Sequence, residues 1–191
     1  MAIVNSYTGN MPTPERTSLD AIVLAARDLL EEEGLAALTM NAIALRVGVR
    51  APSLYKRVES RDRLIQLVAE ATLSDLNGRL DTELSVAQLV TIFRAFGHER
   101  PAAFQLVLTP AAGTPLADAS YRAASTEAIL QSAGRIAGHD NALEAARLVV
   151  AWATGFITME LNGAFQLGGD VDRAWEFGVA HIVEALAIRP A

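Results

Sequence analysis

The sequence predicts an all-α chain of about nine helices, a three-helix helix-turn-helix head followed by a larger helical domain. Three observations carry this. Apolar residues recur at spacings of three and four along most of the 191 residues, and no stretch alternates with period two. Gly and Pro interrupt the pattern where helices would end. One segment, Thr39 to Arg63 (TMNAIALRVGVRAPSLYKRVESRDR), reads as a short helix, a glycine turn and a second short, basic helix.

Residues 1–16 read as a loose arm with Pro12 and Pro14. A first helix spans about Ser18 to Glu33, with Leu19, Ile22, Val23, Ala26, Leu29 and Leu30 as one apolar stripe and Gly34 as a left-handed stop. Glu31-Glu32-Glu33 close it, where the helix dipole disfavours acids, and read as a solvated face. Thr39 is a good N-cap for a second helix that buries Met40, Ile43, Ala44 and Val47. Gly48 supplies the positive φ of a sharp turn. Pro52 suits the first turn of a third helix, which Leu54 and Val58 point inward.

Ser60 caps a fourth helix with Leu64, Leu67, Val68 and Ala71 facing the core. Val86, Leu89, Val90 and Phe93 mark a fifth helix, and a sixth follows Pro101 and ends before Pro110. The breaker-rich loop Thr109 to Pro115 leads to a helix from about Leu116 to Ile136. Asn141 with Glu144 reads as a capping box opening a helix that ends near Asn162-Gly163. Asp170 caps the last helix, which carries Trp175, Gly178, Val179, Ile182 and Leu186 along one side.

Apolar residues make up 51% and mean hydropathy is +0.25, high for a soluble monomer. A large subunit interface, an apolar ligand cavity or a membrane span would each explain it. The uncharged run Leu148 to Met159 falls short of the ~20 residues a span needs, and three prolines break the uncharged run Pro101 to Ala117. No membrane partner is therefore expected. The absence of cysteine excludes disulfides and thiolate metal sites. The start, MAIVNSYTGNMPTP, lacks a basic segment followed by an apolar one, so the cytoplasm is the expected location. His98, His139 and His181 are scattered, and His98-Glu99 and His139-Asp140 read as solvated helix boundaries, so no metal site is expected. No Ser-His-Asp order, phosphate-binding glycine loop or nucleotide fingerprint appears, so neither a cofactor nor an enzyme is expected.

The chain carries a net charge of −6, yet Arg46, Arg50, Lys56, Arg57, Arg61 and Arg63 face only Glu59 and Asp62 within residues 46–63. An acidic chain that gathers positive charge in one short segment points that segment at a polyanion. With the third helix in a major groove, Arg50, Ser53 and Arg57 reach base edges and Ala51, beside Pro52, meets a thymine methyl. Tyr55 and Lys56 suit phosphates, and Thr39 and Arg61 hold phosphate from the starts of the flanking helices. The bland alternative is a short basic helix that only solvates a surface.

Residues 17–66 resemble the tetracycline-repressor (TetR) family of bacterial transcription regulators. The matching residues are Thr39, Ile43-Ala44, Gly48-Val49, Ser53, Leu54-Tyr55, Arg61 and Leu64. Three positions depart from the family pattern. Val58 stands in place of an aromatic, Arg61 in place of a lysine, and Arg50 at a position often held by a capping serine. The resemblance implies a helix-turn-helix domain at 17–64 and a helical effector-binding and dimerisation domain at 65–191. It implies a homodimeric repressor on a palindromic double-stranded DNA operator, released by a small apolar effector. WATGF…MELNGAF followed by AWEFG further resembles the tail of a TetR subgroup whose C-terminal domain is named for Trp-His-Gly.

For the effector, the expected lining residues are Phe93, Phe104, Leu108, Tyr121, Trp152 and Phe156. For the dimer face they are Met159, Trp175, Val179, Ile182 and Leu186, since that last-helix stripe has few other partners. Both sets would serve equally as ordinary core. The rival classes are an all-α enzyme and a constitutive DNA-binding protein without an effector.

Overall fold

The computed structural model describes residues 18–187, and the arm and the domain limit expected at residues 1–17 lie outside them. Nine α-helices and no strand occur among the described residues. The head begins with α1 (Leu19–Glu33), capped by Ser18, whose hydroxyl accepts from the Ala21 N–H at 3.2 Å. Its apolar stripe buries Ile22, Ala26, Leu29 and Leu30. Leu19 is 40% exposed and, one turn before Ile22, stays outside the core. A 3₁₀ turn (Leu35–Ala37) leads to α2 (Met40–Arg46) and α3 (Ala51–Tyr55). Gly48 joins them with φ +75°, a conformation that strains any side chain bearing a Cβ.

The long α4 (Arg61–Asn77) starts at Ser60, which accepts from the Arg63 N–H. It connects two cores. Leu64, Ile65, Val68, Ala69 and Leu73 pack with α1–α3 in the first core, and Leu76 belongs to the second. The limit expected between residues 64 and 65 therefore falls inside one continuous helix. The second core unites α5 (Val86–Glu99), α6 (Pro101–Leu108), α7 (Ala119–Ala137), α8 (Ala142–Leu161) and α9 (Val171–Ala187). Ser85 and Gln88 form a reciprocal capping box on α5. Asp170 caps α9, accepting from the Asp172 and Arg173 N–H groups.

The capping box expected at Asn141 does not form. A 3₁₀ turn (His139–Asn141) precedes α8, and the Asn141 side chain donates to the Ala137 carbonyl behind it. The Glu31-Glu32-Glu33 run is not simply a solvated face either. The Glu31 carboxylate accepts from the Ala102 and Ala103 N–H groups at 3.0 and 2.9 Å, capping α6. The dipole that disfavours an acid at the end of α1 is offset by the opposite pole of α6. Glu32 takes Arg46 through both guanidinium nitrogens, which holds its carboxyl below the usual carboxylate range.

One helical stretch, His139–Leu161, is long and apolar enough by length and composition to cross a membrane. The bundle accounts for part of that character, because Ala145, Val149, Ala153 and Ile157 point into the second core. Leu148 and Met159, on the opposite side, are each about half exposed.

Candidate nucleic-acid interface and cavity

Helix α3 is fixed from behind. Leu54 and Val58 are buried in the head core, and the Val49 N–H donates to the Ala44 carbonyl across the turn. That anchorage leaves Arg50, Pro52, Ser53, Tyr55, Lys56 and Arg57 exposed along one edge. Ala51 is half-buried and packs against the head core. Arg50 occupies the N-cap position with no side-chain capping bond, as a guanidinium without an acceptor must. Thr39 accepts from the Ala42 N–H at 3.2 Å, which leaves its hydroxyl proton free to donate outward.

Arg46 and Arg63, among the basic residues of this segment, are paired with acids of the same chain. Arg46 pairs with Glu32, and Arg63 pairs at 3.2 Å with Glu70, which is buried and also accepts from the Asp118 N–H. Arg61, expected on phosphate, uses its guanidinium to brace the head. Its Nε donates to the Leu38 carbonyl at 2.6 Å and its Nη2 to the Leu35 carbonyl at 2.8 Å. Arg61→Ala should lower the melting temperature by about 2–4 °C, and Arg61→Lys should not restore it, because an ammonium cannot span two carbonyls as a planar fork does. Thermal unfolding followed by circular dichroism checks this.

The second core holds a cavity of about 90 Å³ between α4, α5, α7 and α8. Of the six expected lining residues, Phe93 and Leu108 line it. Phe104 lies behind, fully buried with its ring 5.1 Å from that of Phe93. Tyr121 is exposed and faces a different groove beside α1 and α4. Trp152 and Phe156 belong to a separate aromatic cluster, in which Trp152 stacks on Trp175 at 4.9 Å and Phe156 meets Trp175 edge-on at 5.2 Å. The remaining walls are aliphatic, among them Leu73, Leu89, Val149 and Ala153, with Ser125 and Thr126 from α7. Helical spacing marks these residues as inward-facing without separating a cavity wall from solid core.

The residues expected at a dimer face divide. Met159 is exposed, Trp175 is buried, and Val179, Ile182 and Leu186 are half-buried against their own core. The stripe on α9 therefore has partners within the chain. His98 is exposed near the end of α5, as the sequence suggests, and its Nε2 also lies 2.9 Å from Glu160. Glu160 is also gripped by Arg94, which holds its carboxyl below the usual range. Among the described residues no group of three or more His, Asp or Glu side chains is placed to hold a metal ion.

Comparison with known proteins follows the same division. Residues 22–68 match the family model described as bacterial regulatory proteins, tetR family, and residues 86–182, just over half of the chain, match the tetracyclin repressor-like C-terminal domain. The chain belongs to the TetR family. Members of this family are DNA-binding transcription regulators and not enzymes. A TetR-family relative, an uncharacterised HTH-type transcriptional regulator of Mycobacterium tuberculosis, is 26% identical over 83% of this chain and 76% of its own. The class E tetracycline repressor of Escherichia coli is 36% identical over 59 residues, 31% of this chain and 28% of its own. Mycobacterium smegmatis BioQ shares the fold with a TM-score of 0.67 at 23% identity, over 89% of this chain and 97% of its own. A TetR variant from Acinetobacter baumannii AYE, solved in complex with minocycline, superposes with a TM-score of 0.65 at 21% identity, over 88% and 95% of the two chains.

Proposed function

We propose that this TetR-family regulator is a homodimeric repressor. Two heads would set α3 into successive major grooves of a near-palindromic operator, in the cytoplasm where the DNA lies. The observation that carries the reading is the exposed edge of α3, with Arg50, Ser53, Tyr55 and Lys56 outward and Leu54 locked into the core behind them. In this reading Arg50, Ser53 and Arg57 read bases, Tyr55, Lys56 and Thr39 hold phosphates, and Arg61 mainly braces the turn. Lys56→Ala should weaken binding on every duplex and reduce the slope of log affinity against log salt by about one. Titrations of labelled duplex at several salt concentrations check it; an unchanged slope would remove α3 from the interface.

Dimerisation would use the outer faces of α8 and α9. Leu148, Gly155 and Met159 fall on one side of α8, and Ala174, Phe177 and His181 on the adjoining side of α9. Leu148 is 50% and Phe177 64% exposed, and open space lies over Gly155. A second copy packed there as a four-helix bundle would cover the apolar half of α8 that the fold leaves bare.

Release would start in the cavity. Leu73 and Leu76 line it from α4, and the same helix carries Leu64, Ile65 and Val68 in the head core. Leu108 lines it from the end of α6, whose start is capped by Glu31 of the head. A ligand that displaces either helix would alter the distance between the two α3 helices, to the extent that it binds one dimer geometry more tightly than the other. The A. baumannii protein of the same fold, solved in complex with minocycline, supports a small-molecule effector in general.

A further inference from the structure

Resting on the effector reading above, we infer the chemical class that the cavity admits: a small, uncharged molecule with an apolar body of about one ring and a single hydroxyl donor at one end, as in a phenol.

Three features set this class. The first is size. The cavity encloses about 90 Å³. An enclosed apolar cavity of about 150 Å³ accommodates benzene, so this smaller, partly open one takes at most a single ring with its polar end left at the mouth, unless the helices move apart. The second is charge. No Asp, Glu, Lys, Arg or His side chain lines the cavity. A carboxylate or ammonium entering it would lose its hydration without gaining a counter-ion, and binding would be prohibited. The ion pairs of this domain, Arg94 with Glu160 and Arg79 with Glu99, lie outside the lining.

The third feature is hydrogen-bond polarity. Ser125 and Thr126 are the only polar side chains in the lining, one helical step apart on α7. Thr126 is exposed and Ser125 half-buried, which places them at the mouth, while Phe93, Leu108 and Val149 form the interior. Each hydroxyl has already used its proton on its own helix. Ser125 Oγ donates to the Arg122 carbonyl at 2.9 Å, and Thr126 Oγ1 donates to the Ala123 carbonyl at 2.8 Å. What remains on both oxygens is acceptor capacity. A ligand is therefore recognised through a proton that it donates, with its apolar end inward and its O–H at the mouth. A ketone or ether, which can only accept, must first break one of these helix bonds to be recognised.

Phenol and toluene have the same number of heavy atoms and nearly the same shape, and benzoate adds a charge. Isothermal titration of the full chain, without DNA, compares the three. A site lined by hydrocarbon alone favours toluene over phenol, because the buried hydroxyl goes unpaired at a cost on the order of tenfold or more. The inference predicts that phenol binds at least as tightly as toluene and that benzoate does not bind at the same concentrations. In the double variant Ser125→Ala, Thr126→Val, phenol should weaken about 3- to 10-fold while toluene is unchanged. Tighter binding of toluene than of phenol to the unaltered protein would overturn the inference, as would benzoate binding or a phenol affinity indifferent to the double substitution. The wild-type comparison stands even if the variant folds poorly. Operator release is measured separately by adding phenol to the DNA complex. Phenol that binds as predicted yet leaves the complex intact would support this ligand class and count against the effector reading alone.

Discussion

Leu148→Glu is expected to yield a folded monomer whose affinity for operator DNA is about 10²- to 10⁴-fold weaker than that of the parent. Leu148 is half exposed on α8 and lies outside both cores, so the substitution removes little from the subunit itself. In a two-fold interface each change occurs twice, and two carboxylates enter a surface made of Leu148, Gly155, Met159 and Phe177. Burying them without partners outweighs the apolar area gained by association. Each head then binds half of the site alone and loses the benefit of being tethered to a second. Sedimentation velocity and duplex titration on one preparation check both parts. A variant that remained dimeric would place the interface elsewhere.

Gly178→Val is expected to destabilise the protein by about 2–3 kcal/mol, even though glycine is a poor helix former. A Cβ at position 178 would overlap the indole of Trp152, with two further ring atoms at 3.0 Å. The indole cannot withdraw, because Trp152 stacks on Trp175 and also meets Phe156 at 5.6 Å. The helix must move instead, and α9 carries half of the proposed dimer face. Thermal unfolding should therefore show a lowered midpoint together with weaker self-association. A midpoint equal to that of the parent would mean that α8 and α9 do not approach as closely as the structure places them.

The head is legible in the sequence because its signals are local. Thr39 and Ser60 cap the helices that follow them, Gly48 turns the chain, and Leu54 and Val58 face inward at helical spacing. Each depends on neighbours within a few residues. What local pattern does not show depends on partners far along the chain. Glu31 reads as a solvated acid because the helix start it caps lies 71 residues later. The bracing role of Arg61 is equally invisible, because its acceptors, the Leu35 and Leu38 carbonyls, lie 26 and 23 residues earlier.

The cavity and the dimer face show a different limit. Aromatic size suggested Phe104, Trp152 and Phe156 as lining residues, but large rings fill space: Phe104 is solid core beside the cavity, and Trp152 and Phe156 are half-buried in the cluster around Trp175. The void lies where smaller aliphatic side chains and two hydroxyls meet, which helical periodicity cannot distinguish from packing. On α9 the strongest apolar stripe is the one turned inward, with Trp175 in the core. The weaker stripe through Ala174, Phe177 and His181 is left outside.

The central claim is that two copies of α3, carried on one dimer, read a duplex in successive major grooves. Selection of bound duplexes from a random DNA pool by the purified protein tests it most directly. The account predicts enrichment of an inverted repeat whose half-site centres lie about 34–36 Å apart along the helix or a multiple of that distance, with the enriched bases changed in Arg50→Ala and Ser53→Ala. Enrichment of a single unrepeated half-site, or of the same inverted repeat by the two α3 variants, would contradict it.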